Sequence, residues 1–268
     1  MTTNDSTFAG SIPALYDRHL GPLLFAPYAK EMARRLADLK SGALIETAAG
    51  TGIVTQALAR SLPPSVEIVA TDLNQAMVDF AAKKSGMERV TFKQADALAL
   101  PADDAAFDAV VCQFGVMFFP DRVAGYREAR RVLRPGGRAL IAIWDSLEHN
   151  PIARCVVDAM ARHFPADPPR FLARTPHGHS DPDVIMSELG AAGFSRVSID
   201  TVALPSRGSH RDPAIGFCQG SPMRGEIEAR APRGLQEATE AVAAAVAAEF
   251  GEGAIEAPMQ ALIVIAQK

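Results

Sequence analysis

Aromatic rings and thiols are scarce in this chain: one tryptophan, three tyrosines and three cysteines among 268 residues. Cys112, Cys155 and Cys218 stand far apart, at spacings that match neither a zinc site nor a redox pair. Cys112 falls inside an apolar run and reads as a small core residue. Positive charge is also in short supply. Lysine and arginine number 27 against 31 acids, a net charge of −4, and no long basic block offers the footprint that a nucleic-acid backbone needs. The richest basic run, Arg127 through Arg138, lies near the end of an expected helix, where cations oppose the helix dipole, and reads as a solvated face. No apolar stretch reaches membrane-spanning length, and the opening MTTNDSTFAG lacks the positive patch and apolar core of a leader. The expectation is a cytoplasmic protein with no nucleic-acid partner and no membrane insertion.

Apolar residues, by contrast, make up 48% of the chain, enough for an extensive core in one large α/β domain or a domain with a cap. Residues 11–40 carry an apolar stripe at roughly helical spacing, with Tyr28, Met32, Leu36 and Leu39 in its second half. Strand-like runs follow at Ala43–Thr47, Val66–Thr71, Val90–Gln94, Phe107–Cys112 and Arg138–Trp144, with helical patterns over 53–61, 74–85 and 121–134. Such alternation predicts a parallel sheet covered by helices. Arg134-Pro135-Gly136-Gly137-Arg138 reads as the stop that ends a helix and turns the chain into the next strand. After Trp144 the rhythm changes. A proline-rich stretch covers 145–180, and a helix over Asp183–Ala192 ends at Gly193, a natural cap. Phe194–Leu204 reads as a strand, 205–257 as irregular apart from a helix over 235–250, and Met259–Ala266 as a last strand.

The most informative stretch is Ala43-Leu44-Ile45-Glu46-Thr47-Ala48-Ala49-Gly50-Thr51-Gly52, running into Ile53-Val54-Thr55. An apolar run ends in an acid, passes through a small-residue loop and opens into a helix. Glycines there let a ligand lie against the main chain, and the helix start directs unpaired N–H groups toward it. A plain strand-to-helix turn would use the same residues. In open α/β sheets ligands bind beyond the carboxyl ends of the strands, and the other strand ends are furnished too. Asp72 closes the second, about twenty residues past the glycines, where an acid accepts hydrogen bonds from ribose hydroxyls. Asp96 and Ala97 follow the third, and Gln113 and Phe114 the fourth. Taken alone, Asp72 is better read as a helix N-cap.

Together these motifs resemble the class I S-adenosylmethionine-dependent methyltransferases, particularly their small-molecule group. The family's first motif, acid-x-Gly-x-Gly-x-Gly, is matched by Glu46, Gly50 and Gly52, with Ala48 where the first glycine is usual. The acids of the second and third motifs map onto Asp72 and Asp96, and the helix with its Pro-Gly-Gly turn onto Val132–Gly137. The likeness covers residues 40–145, and more loosely 194–204 and 259–267. It implies a Rossmann-like, doubly wound, mostly parallel seven-stranded sheet with cap insertions. Residues 1–40 would form a helical lid, 41–145 the cofactor-binding core, 146–180 a cap, 181–204 more core, 205–257 a second cap and 258–268 the last strand. The implied cofactor is S-adenosylmethionine, with its ribose on Asp72 beside Leu73 and Met77, and its adenine near Asp96 and Ala97. Its methionine end would lie near Glu46, Thr47, Ala48, Gly50, Gly52, Gln113 and Phe114. Tyr16 either closes over that end or simply packs. Alanine at 48 is harmless if its backbone angles are ordinary and costly if φ must be positive.

The implied activity is methyl transfer by in-line displacement to a small, partly apolar metabolite, the acceptor atom and the oligomeric state being open. Phe114, Met117, Phe118 and Phe119 would form either an apolar floor for that acceptor or core beneath the next helix. Base candidates are His19, His149 beside Glu148, and His163, each also readable as a surface histidine. His177 and His179 lack a third ligand at a useful spacing and read as loop rather than metal site. Two rivals remain. An NAD-dependent oxidoreductase would use the same loop and acid, but its fingerprint wants a third small residue where Thr55 stands. A non-catalytic cofactor-binding regulator is the other.

Overall fold

The structure, a computed structural model, describes residue 10 and residues 12–268. The expectations for a leader-free start, and for the lid over residues 1–9 and 11, lie outside the described residues. Seven strands form one sheet: β1 (Gly42–Glu46), β2 (Val66–Asp72), β3 (Val90–Gln94), β4 (Phe107–Gln113), β5 (Leu133–Trp144), β6 (Arg196–Ser209) and β7 (Ala254–Gln267). Their order is β3-β2-β1-β4-β5-β7-β6. Strands β1 to β5 pair in parallel and β7 runs antiparallel to β5. This is the expected α/β class with a mostly parallel, seven-stranded sheet.

Burial explains the order. Parallel strands covered on both faces need unbroken apolar runs, and the central strands have them: Ala109 to Cys112 in β4 and Ala139 to Trp144 in β5 are buried throughout. In β3, at the edge, no residue is buried. Helices Ile53–Ser61, Gln75–Ala81 and Arg122–Val132 make the crossovers. From β1 the chain steps to β2 and then β3 on one side, and returns to place β4 on the other. That reversal opens a crevice at the carboxyl ends of β1 and β4, where ligands of such sheets bind.

Two differences from the sequence pattern have clear causes. The Pro-Gly-Gly segment does not precede β5 but lies within it. Phe107 faces Leu133 and the register then jumps to Ala109 opposite Arg138, so residues 134–137 bulge out of the ladder. Gly136, at φ +81°, makes the bulge possible, and Lys268 closes it, its N–H donating to Gly137 O at 2.9 Å while its own carbonyl accepts from Gly136 N at 3.1 Å. The stretch 205–257 is not irregular: besides Leu235–Phe250 it holds helices Arg211–Gln219 and Met223–Arg230.

The chain divides into two compact units. One comprises residues 28–144, 179–202 and 261–268, and contains most of the sheet. Here helix Pro182–Ala191 ends as the sequence pattern indicated: Gly193, at φ +95°, donates to Gly190 O, and Phe194 N reaches Leu189 O, which satisfies the last carbonyls. The other unit comprises residues up to 27, 145–178 and 203–260. Its core is helical: Ile152, Val156 and Met160 of helix Pro151–His163, and Ala238, Val242 and Val246 of Leu235–Phe250, are all buried. Within the stretch read as helical, Tyr16–Phe25 is a π-helix, and Pro22 brings no N–H to its ladder. Within this unit Asn150 bridges chain segments, its Nδ2 donating to the carbonyls of Asp145, Ser146 and Gln260 and its Oδ1 accepting from Gln260 N.

Candidate active site

Glu46 ends β1, is 2% exposed, and its carboxylate accepts one hydrogen bond, from Thr55 Oγ1 at 2.7 Å. Burial outweighs that bond and, with the nearby Asp72 charge adding to it, raises the Glu46 pKa from 4.5 to about 8. Asp72 ends β2 and spans the gap between the strand tips. Its Oδ2 accepts from Gly50 N at 2.8 Å, and its Oδ1 from Asn74 N at 2.8 Å. Burial pushes its carboxyl upward against the pull of these bonds. Asp72 is therefore not the N-cap of the following helix; Asn74 holds that position, and Asp72 clamps the glycine loop.

The loop itself is bent into left-handed backbone. Gly50 lies at φ +56° and Gly52 at φ +77°, and so does Ala48, at φ +52°. Alanine at 48 is thus the costly case, a side chain in a conformation that L-residues avoid. Its methyl is accommodated because residue 115 is glycine: a Cβ there would come within 2.6 Å of Ala48 Cβ. Above Gly50 nothing lies within 4 Å of where a Cβ would stand, whereas a Cβ on Gly52 would meet Ala81 at 2.9 Å. So Gly52 lets a helix pack closely, and Gly50 borders open space.

At the tip of β4, Phe114 also takes positive φ, +54°. Its ring stacks on Trp144, at the tip of β5, with centroids 3.7 Å apart, and meets Tyr28 edge-on at 5.3 Å. Tyr28 donates its hydroxyl to Val202 O at 2.9 Å. The rings are buried, so Phe114 brings its backbone rather than an open ring face to the crevice.

The remaining sequence-selected residues separate by surroundings. Thr47 is buried, with its N–H on Val111 O, and Gln113 is half-buried. Leu73 is 54% exposed beside Asp72, while Met77 is packed into the core at 2%. Asp96 is exposed, its Oδ1 accepting from Leu98 N at 2.9 Å, and Ala97 is half-buried beside it. Tyr16 belongs to the helical unit and stacks on Phe25 at 4.7 Å. Of the expected apolar floor, Met117 is core, and Phe119 packs so closely over Gly125 that a Cβ there would come within 2.5 Å of its ring.

The three base candidates all lie in the helical unit. His19 Nδ1 pairs with Asp212 Oδ1 at 2.8 Å; His149 is exposed, near Asp145; His163 stands edge-on to Phe164. His177 lies in a turn. Its Nδ1 donates to Asp145 O at 2.7 Å, and burial holds its pKa down at about 4, which keeps it neutral. Only a fold could reveal that contact, since 32 positions separate the two residues. Cys112 is no nucleophile, because burial pushes its thiol up to about 11.

Comparison with known proteins agrees with this arrangement. Residues 44–137 match the profile of a methyltransferase domain family. Demethylmenaquinone methyltransferase of Deinococcus radiodurans is 40% identical over 123 residues, 45% of this chain and 48% of that protein, so the match spans about half the relative's length. Ubiquinone/menaquinone biosynthesis C-methyltransferase UbiE of Pseudomonas aeruginosa is 30% identical over 183 residues, 63% of this chain and 72% of the relative. Phosphoethanolamine N-methyltransferase 2 of Haemonchus contortus, solved with S-adenosyl-L-methionine, superposes with a TM-score of 0.61 at 15% identity, covering 96% of this chain and 56% of that one. The fold and the glycine-loop crevice define an S-adenosylmethionine-binding α/β protein. The chain belongs to the S-adenosylmethionine-dependent methyltransferases.

The residues present suit that cofactor. Open space borders Gly50, two buried carboxylates flank the loop, and Thr51 Oγ1, in a residue 1% exposed, has no protein partner among the described residues. A ligand carrying hydroxyls and positive charge answers each of these features.

Proposed function

We propose that this chain transfers the methyl group of S-adenosylmethionine to a ring carbon of a hydroxylated, quinol-type aromatic. The bond from Gly50 N to Asp72 Oδ2 at 2.8 Å, beside open space, is the observation that carries the cofactor half of this reading. It fixes the loop so that Gly50 presents bare backbone, and Asp72 Oδ2, which accepts that one bond, keeps a lone pair for a ribose hydroxyl, while Oδ1 already accepts from both the backbone and the side-chain nitrogen of Asn74. Asp96 would accept from the adenine amino group, and Glu46 and Thr51 would face the amino-acid end. The cofactor supplies an already activated methyl, which leaves the protein chiefly the work of alignment. Holding two reactants at near-attack geometry is worth up to roughly 7–11 kcal/mol.

The acceptor half rests on the two named relatives, one a demethylmenaquinone methyltransferase and the other a ubiquinone/menaquinone biosynthesis C-methyltransferase. The test is to incubate the protein with methyl-labelled S-adenosylmethionine and a short-chain demethylmenaquinol, then identify the product by mass. Label on a ring carbon supports the proposal. Label on oxygen, or transfer only to a different acceptor from a cell extract, leaves the cofactor assignment intact and refutes the acceptor.

A further inference from the structure

Glu46 and Asp72 are neighbouring buried acids whose partners among the described residues are uncharged. Glu46 accepts from the Thr55 hydroxyl, and Asp72 from the backbone of Gly50 and from Asn74. Neither forms an ion pair with a lysine, arginine or histidine of the described residues. The elements around Glu46 add no cation. From β2 comes the Asp72 carboxylate, from β4 the Cys112 thiol, which senses the Glu46 charge, and from helix Ile53–Ser61 the Thr55 hydroxyl, while Arg60 of that helix is exposed. Buried carboxylates ordinarily sit beside a positive charge; without one they hold a proton.

We infer that this pair makes the site selective for charge: empty, Glu46 holds a proton, and a cationic adenosyl ligand takes the proton's place, so binding expels it. This rests on the cofactor reading proposed above and adds a linkage to it. The uncomplexed protein has the Glu46 pKa at about 8, so the proton is present at neutral pH. A ligand ammonium or sulfonium stabilises the carboxylate instead, and the O–H bond of Glu46 breaks with release of its proton to solvent. Affinity therefore rises with pH up to about 8, by at most roughly tenfold per pH unit for one proton, and stops rising above it, where Glu46 is already ionised and the ligand's α-ammonium itself deprotonates.

The experiment is titration calorimetry of the full chain with S-adenosylmethionine at pH 7, in buffers of different ionisation enthalpy, and its repetition from pH 6 to 9. The expected result is release approaching one proton per ligand and an affinity about tenfold or more weaker at pH 6 than at pH 8. Glu46→Gln should bind with no proton release. The ligand's own α-ammonium titrates near pH 8, and that variant isolates its contribution. The uncharged 5′-methylthioadenosine should expel no proton from the wild type. A carbon-13 carboxyl titration of the wild type, with and without ligand, gives the same answer should Glu46→Gln fail to fold. Binding without proton release, or equal release by Glu46→Gln, overturns the inference and leaves the cofactor reading standing. Absence of S-adenosylmethionine binding at every pH overturns both.

Discussion

Two ends of one crevice are built on opposite principles. At the tips of β1 and β2 the side chains are buried acids, and hydrogen bonds to Thr55, Gly50 and Asn74 hold them in place. At the tips of β4 and β5 the side chains are rings, with Phe114 stacked on Trp144 and Tyr28 across both. Both ends carry a non-glycine residue in left-handed backbone, Ala48 at one and Phe114 at the other. Such strain persists only where the surroundings over-determine it, and it gathers at sites of function. The polar end offers charge and hydrogen-bonding groups, and the aromatic end supplies rigidity.

Substitution should separate the two ends. The largest effect belongs to the aromatic end: Trp144→Ala removes a buried stacked ring and should cost about 3–5 kcal/mol in urea unfolding. A loss below 1 kcal/mol would mean that the stack is not a structural unit. Next, Asp72→Ala should weaken S-adenosylmethionine binding about 100-fold, since hydrogen bonds to a charged group contribute about 1.5–3 kcal/mol. The far-ultraviolet circular dichroism should stay native. Unchanged affinity with a native spectrum would contradict the ribose assignment.

Glu46→Gln should alter stability only as a function of pH. The folded-state pKa lies above the ordinary value, so the native protein binds more protons than the unfolded chain between pH 4.5 and about 8. Wild-type stability accordingly falls as pH rises through that window, by at most roughly 1.4 kcal/mol per unit, and is level above it. The variant should match the wild type near pH 4 and exceed it at pH 8 in paired denaturant titrations. The smallest effect is expected from Ala48→Gly, a gain of about 1 kcal/mol from relieved backbone strain, offset in part by the extra freedom of the unfolded chain. A loss of stability there would show that the methyl contact with Gly115 outweighs the strain.

The polar end was largely legible from residue order because its chemistry is local. Glu46, Gly50 and Gly52 lie within one loop, and Asp72 stands where the second strand ends. The sequence offered Asp72 as an N-cap when taken alone and as a ribose ligand when taken with the other motifs, and neither reading foresaw that its carboxylate also holds a loop 22 positions away. It also left the backbone of Ala48 undecided, since a sequence does not print φ. The aromatic end was hardly legible at all. Tyr28, Phe114 and Trp144 are scattered over more than a hundred positions and meet only through the sheet order. The Pro-Gly-Gly segment misled for a related reason. Its residue types announce a turn, and only pairing with β4 and closure by Lys268 make it a bulge within β5.

The solitary indole has a practical corollary. Because the chain holds one tryptophan, and that one lies flat against Phe114 where the fourth and fifth strands end, native fluorescence arises from a single known address. An occupant that shifts the strained backbone at Phe114 would change the tryptophan emission without any attached dye, giving a built-in optical gauge of events where the fourth and fifth strands end.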